Sequence, residues 1–211
     1  MKFIDPALMK YCEEFTSPAS HLLNEIERKT YLNTILPQMV SGHYQGRLLS
    51  MLSCMLRPRR ILEVGTFTAY AALCLAEGLT DDGILHTIEV NDELKETIDF
   101  AIGQHPKASQ YRLHIGSALA IIPTLKELWD LVFIDGAKLE YEEYYDLVIE
   151  NMRPGGIIIA DNVLWSGKIL NSDPDKDTRA ILAFNAKLNE DQRIEKVLLP
   201  IRDGLYIARK L

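Results

Sequence analysis

Two uninterrupted apolar runs, Leu131-Val132-Phe133-Ile134 and Ile157-Ile158-Ile159-Ala160, leave this chain few ways to fold. Neither alternates with polar residues, so each reads as a strand buried on both faces, the pattern of a parallel sheet covered by helices. Parallel neighbours need a crossover. Tyr141, Tyr145, Val148 and Met152 recur between the runs at helical spacing, and Pro154-Gly155-Gly156 ends that helix. The spacing predicts a right-handed β-α-β unit whose two strands point the same way. Their carboxyl ends carry Asp135 and Asp161-Asn162, and open α/β sheets bind ligands in the crevice outside strand C-termini.

Two carboxylates and an amide carbonyl are hard oxygen donors, which suit Mg²⁺, with Mn²⁺ or Ca²⁺ as alternatives. The histidines and cysteines are scattered and form no short-spaced tetrahedral zinc pattern. Lys138 lies one turn past Asp135, where a bound cation would disfavour the ammonium form and leave an amine able to act as a base. The plain alternative makes Asp135 a helix cap and Asp161-Asn162 the start of a loop. Their joint placement at two strand ends favours the site.

Phe133-Ile134-Asp135-Gly136-Ala137-Lys138, Tyr141, Tyr144-Tyr145, Gly155-Gly156 and Asp161-Asn162-Val163-Leu164-Trp165-Ser166-Gly167 resemble the cation-dependent O-methyltransferases that use S-adenosylmethionine. That family includes the catechol and caffeoyl-CoA enzymes and their bacterial relatives. The resemblance covers most of the chain from Met39 onward. It implies a single-domain, Rossmann-like class I methyltransferase: a mostly parallel seven-stranded sheet with helices on both faces and an antiparallel C-terminal hairpin. It also implies Asp135, Asp161 and Asn162 as metal ligands and Lys138 as the base. Many members carry a second Asp where this chain has Ala137. A bacterial branch that methylates hydroxyuridine in transfer RNA accepts alanine there, which keeps tRNA as a rival acceptor.

The cofactor positions follow from the same resemblance together with the local pattern. Met39 and Ser41 precede Gln45-Gly46 as in the family, so Ser41 inherits a cofactor contact and Met39 either a cofactor wall or a core position. The turn after the first strand, with Glu63, Gly65, Thr66 and Ala71 as its candidates, has one glycine. It matches neither the three-glycine dinucleotide fingerprint nor a phosphate-binding loop, and a cofactor without phosphate needs less glycine. Ala71 lacks the hydroxyl that the family often places there. Glu89 ends the next strand roughly twenty residues on, the spacing of an acid that holds ribose hydroxyls, unless it only precedes a helix cap. Ala118 falls in the family's turn under the adenine. Trp165 offers a flat wall for an acceptor ring or a core position, with Ser166 beside it as a second acceptor contact.

The length of 211 residues, with 47% hydrophobic and 25% charged, predicts one domain, with residues 1–57 a helical lead-in and 58–211 the α/β core. No leader or membrane-spanning run is expected, and the odd set Cys12, Cys54 and Cys74 reads as reduced thiols, so a cytoplasmic enzyme is expected. A net charge of −7 argues against a broad nucleic-acid face. In the lead-in, Asp5-Pro6 opens one helix. Pro18 opens a second, buried through Leu22, Leu23, Ile26 and Leu32; Met39–Gly46 is a loop, and a third helix packs Leu48, Leu49, Leu52 and Met55. Arg57-Pro58-Arg59-Arg60 reads as a solvated loop below the sheet. Ile61–Tyr70 reads as the first strand and its turn into a helix, further strands are expected at Ile84–Val90, Tyr111–Ile115, Ile194–Leu199 and Leu205–Ala208, and a helix at Lys176–Asn189. The function expected is methyl transfer from S-adenosylmethionine to a small catechol-type aromatic, by a homodimer as the family suggests. Against it stand a tRNA 5-hydroxyuridine methyltransferase and a non-catalytic dinucleotide-binding domain; the missing glycine fingerprint and Lys138 beside the acids oppose the latter.

Overall fold

The computed structural model describes residues 4–211. In chain order its elements are α1 (Pro6–Glu14), α2 (His21–Asn33), α3 (Gly42–Leu56), β1 (Arg60–Val64), α4 (Tyr70–Ala76), β2 (Ile84–Glu89), α5 (Lys95–Gly103), β3 (Tyr111–Ile115), α6 (Ala118–Ile121), β4 (Trp129–Ile134), α7 (Tyr141–Ile149), β5 (Met152–Asp161), α8 (Lys176–Glu190), β6 (Ile194–Leu199) and β7 (Leu205–Lys210). Among the described residues seven strands form one sheet, in the order β3-β2-β1-β4-β5-β7-β6. The first five run parallel, and β7 is antiparallel to both β5 and β6. This is the mostly parallel Rossmann-like sheet with a C-terminal hairpin that the family resemblance implied.

The unbroken apolar runs have a direct structural cause. Leu131 and Phe133 of β4 pack with α2 to α5, whereas Val132 and Ile134 pack with Tyr141, Tyr145, Val148, Ile181 and Phe184 of α7 and α8. Along Leu131–Ile134 successive side chains alternate between the two cores, so no position in that run faces solvent. The same register aligns the strand ends. Val64 stands beside Ile88 and Ile134, and Ile134 beside Ala160, so Gly65, Asp135 and Asp161 follow in one row.

Several local expectations are corrected. Met152 begins β5 opposite Trp129 instead of ending α7. It is buried in the same cluster as α7, so its apolar spacing fits either element. Pro154-Gly155-Gly156 lies inside β5, where the register against β4 slips between Trp129 and Leu131 and Gly155 takes φ +81°. A proline without an N–H and a left-handed glycine mark a bulge here, not a helix stop. Ser20, not Pro18, opens α2, its hydroxyl accepting from the Leu23 N–H at 3.2 Å. Leu32 is exposed because the inward stripe runs Leu23, Ile26, Thr30, and two residues past Thr30 points the other way.

The expected Met39–Gly46 loop is mostly helix, since α3 starts at Gly42. A Cβ on Gly46 would sit 2.7 Å from the Tyr70 ring and 2.9 Å from the Cys74 sulfur, so this glycine permits close packing of α3 on α4. Met55 faces solvent, while Leu49 fills the core. The basic run below the sheet is neutralised locally: Arg59 pairs with Asp82 at 2.5 Å and Arg60 with Glu127 at 2.8 Å. No helix among the described residues is long and apolar enough to cross a membrane, and Cys12, Cys54 and Cys74 are free thiols.

Candidate active site

A cavity of about 1030 Å³ opens along the carboxyl ends of β1 to β4, and Gly65, Glu89, Ala118 and Asp135 line it together with Met39. Its floor is the turn after β1. Gly65 has φ +94°, and a Cβ there would lie 2.2 Å from the carbonyl oxygen of Asp135, so only glycine lets the two strand ends approach. Phe67 and Ala69 also take left-handed backbone, at φ +50° and +68°. The single glycine is therefore the one position where space, and not only φ, excludes a side chain. Glu89 fixes this turn: its Oε2 accepts the Phe67 N–H at 2.8 Å and its Oε1 the Asn91 N–H at 2.9 Å. Each oxygen keeps a lone pair for a ligand hydroxyl in the cavity.

Four other cofactor candidates are not on the cavity wall. Ser41, Glu63, Thr66 and Ala71 are buried and absent from its lining. Glu63 is 0% exposed and accepts from the Thr87 hydroxyl at 2.5 Å, which is itself 2.5 Å from that of Thr66. This chain of hydroxyls ties β1 to β2. Burial pushes the Glu63 carboxyl up to about 8, against the opposing hydrogen bond from Thr87. The folded value lies above the unfolded one, so the stabilisation is full below the ordinary glutamate range and is lost as pH rises through about 8. Urea titrations between about pH 5 and pH 9 are expected to show the wild type losing on the order of 3 kcal/mol more than Glu63→Gln. Parallel pH dependences for the two proteins would refute a protonated Glu63.

At the end of β4 the chemistry changes from apolar wall to a network of charges. Lys138 donates to Asp135 Oδ1 at 2.9 Å and to the Tyr141 hydroxyl at 2.6 Å. That hydroxyl donates to the Asp161 carbonyl at 3.1 Å, which links the β4 and β5 ends. Burial raises the Asp135 carboxyl above the usual range; the Lys138 ammonium opposes the rise and the Asp161 charge adds to it. Asp161 is buried, its Oδ1 accepting the Asn162 N–H at 2.7 Å and its Oδ2 the Gln45 side-chain N–H at 2.6 Å. Asn162 has φ +60°, a left-handed conformation that asparagine tolerates better than most residues. Among the described residues no three His, Cys, Asp or Glu side chains group to hold a metal. The set here is two acids and one amide, and a pair of mutually repelling acids with hard oxygens fits a divalent cation.

Trp165 and Ser166 lie beside this network, outside the cavity lining. Trp165 is half-buried against the α7–α8 core, its indole N–H buried without a partner. The Ser166 N–H donates to the Asp203 carboxylate in the β6–β7 turn. The sequence marks Pro200–Gly204 as a turn, with Gly204 permitting its φ of +91°, but gives Arg202 and Asp203 no part in the site. Arg202 donates to the Val40 carbonyl at 2.9 Å, to the Ser41 carbonyl and to that of Gln38 at 3.3 Å, and so ties Met39 and Ser41 to the hairpin. Gln45 was visible only as half of a family dipeptide.

The family model described as O-methyltransferase matches residues 13–211. The chain belongs to this O-methyltransferase family. Among its members, tricin synthase 2 of rice is 33% identical over 186 residues, covering 82% of this chain and 64% of the relative. The chain thus spans just under two thirds of that protein's length. Caffeoyl-CoA O-methyltransferase 1 of Eucalyptus globulus is 31% identical, covering 82% and 75%. The solved O-methyltransferase TomG of Streptomyces achromogenes, in complex with S-adenosylmethionine, superposes with a TM-score of 0.87 at 27% identity, covering 97% of this chain and 96% of that one. This O-methyltransferase is accordingly an enzyme, as its resemblance implied.

Proposed function

We propose that this O-methyltransferase takes its methyl group from S-adenosylmethionine and delivers it, with a divalent cation present, to one of two vicinal hydroxyls on a small catechol-type aromatic. The observation that carries the reading is Asp135: it lines the cavity and its carboxylate also holds Lys138 in the network that reaches Asp161. One residue thus joins a donor site to an acceptor site. Asp135, Asp161 and Asn162 are the residues to hold the cation, Mg²⁺ first and Mn²⁺ or Ca²⁺ as alternatives, and a bound cation favours the ionised form of a chelated hydroxyl.

The chain's own groups do the rest. Lys138, once it has released a proton to solvent as a bound cation would favour, takes the acceptor's proton as the neutral amine, and Tyr141 fixes that amine by a 2.6 Å contact. Glu89 holds ribose hydroxyls; Gly65, Ala118 and Met39 form the wall for the donor. Ser41, Glu63, Thr66 and Ala71 support that wall from the interior, Ser41 through its carbonyl on Arg202. Trp165 and Ser166 border the acceptor. Holding donor and acceptor in line can remove on the order of 7–11 kcal/mol of barrier. We take residues 1–211 as one methyltransferase domain that works in the cytosol, with which three free cysteines agree. We also take it as a homodimer, for which exposed Leu32, Ile35 and Met55 supply apolar surface.

A tRNA acceptor calls for a basic rim beside the acids. The cations on the segments that flank Asp161-Asn162 are engaged instead: Lys138 with Asp135, Lys168 with Asp175 at 3.1 Å, and Arg202 with backbone carbonyls. This favours the small acceptor. Titration calorimetry tests the donor half. Binding of S-adenosylmethionine with no heat from NAD is expected, and micromolar NAD binding without a response to the methyl donor would falsify it.

A further inference from the structure

Gln45 is 0% exposed and sits in α3, 116 positions from the acid it touches. Its Nε2 donates to Asp161 Oδ2 at 2.6 Å, while its Oε1 is buried with no partner. The opposite amide orientation would set a carbonyl against a carboxylate, so the chemistry fixes which end meets Asp161. A buried amide with an orphan acceptor is a poor way to fill space, because an apolar side chain of similar volume leaves no acceptor unsatisfied. Gln45 also lies outside the lining of the donor cavity. Among the described residues its one side-chain hydrogen bond is to the carboxylate.

We infer that Gln45 is a positioning residue for the Asp161 carboxylate, holding it from α3 so that its remaining lone pairs are set for a divalent cation. The inference rests on the cation reading above. Asp161 Oδ1 is already fixed by the Asn162 N–H. With Gln45 on Oδ2 both oxygens are oriented from outside, and each retains a lone pair. Outer partners of this kind typically change metal affinity 10–100-fold when removed. The α3 end of the molecule thereby sets the β5 end of the site, through a side chain that carries no charge of its own.

The test is a Mn²⁺ titration of the full chain, with free Mn²⁺ followed by electron paramagnetic resonance, and a calorimetric titration with S-adenosylhomocysteine on the same proteins. Wild type, Asp161→Ala, Gln45→Met and Gln45→Asn are compared; the asparagine keeps an amide but is one methylene too short to reach. Expected are Mn²⁺ binding by the wild type, none by Asp161→Ala, and affinity lowered roughly 10–100-fold in both Gln45 variants with S-adenosylhomocysteine affinity unchanged. If one variant fails to fold, the other carries the comparison. Equal Mn²⁺ affinity in wild type and Gln45 variants overturns the inference. So does a parallel loss of both ligands, or failure of both variants to fold, which would make Gln45 a structural residue. A wild type that binds no Mn²⁺, or an Asp161→Ala protein that binds it equally well, removes the cation reading itself, and does so whatever happens at position 45.

Discussion

Asp161→Ala is expected to lower kcat/KM for methyl transfer roughly 10³-fold, the equivalent of about 4 kcal/mol of lost transition-state stabilisation, and to abolish any response to added Mg²⁺. The substitution removes one of two carboxylates from a three-donor set and leaves the Gln45 amide N–H without its acceptor. The fold should survive, because the backbone carbonyl of residue 161 still receives the Tyr141 hydroxyl and the β5–β7 pairing is untouched. In the wild type, EDTA should stop turnover and Mg²⁺ restore it. Full activity of the variant under chelation would show that Asp135 and Asp161 are only a cap and a turn residue.

The second large effect is expected at Lys138. Lys138→Met keeps the length and apolar stem but cannot take a proton, so kcat should fall about 10²–10⁴-fold, the usual contribution of a positioned general base. Donor affinity should stay the same, since Lys138 is not on the cavity wall. The ion pair with Asp135 is partly shielded from solvent, with 14% and 21% of the two side chains exposed, so some loss of stability will accompany the change. Kinetics at a temperature well below the variant's melting point separate the two effects. Unchanged kcat in a folded Lys138→Met protein would assign the proton to another group.

What the sequence made legible follows from the range of each interaction. A strand segment buried on both faces is mostly apolar, so the runs Leu131–Ile134 and Ile157–Ala160 announce themselves, and polar residues at their ends stand out against that background. Asp135 and Asp161 stand out this way, and Glu89 by its spacing from the turn at Gly65. The expected strand Tyr111–Ile115 has its observed bounds, and Gly116 just beyond it takes φ +140°. Apolar spacing cannot say which of two buried elements a residue belongs to, and Met152 was misplaced for that reason. Leu32 failed because a helical stripe fixes relative faces, not which face the neighbours cover.

The contacts that assemble the site left no local signal. Gln45 meets Asp161 over 116 positions and Arg202 meets Val40 over 162. Arg202 itself takes φ +51° in a turn that reads as a plain hairpin connection. Gly204 beside it has a reason of its own, since a Cβ there would lie 2.4 Å from Leu164. Glu63, placed by pattern among the cofactor contacts, is enclosed by Thr87 and the sheet. Periodicity reports faces; it does not report partners.

Acceptor identity is decided by one assay with labelled S-adenosylmethionine over caffeic acid, related catechols and hydroxyuridine-containing tRNA, each with and without EDTA and across a KCl series. Methylation of a catechol that EDTA abolishes, with KM nearly independent of salt, is the expected result. A small chelated acceptor feels little of the −7 net charge, whereas an RNA acceptor would show KM weakening steeply with KCl. Robust methylation of the tRNA with no turnover of any catechol would contradict the proposed acceptor, and catechol methylation that persists in EDTA would contradict the proposed cation.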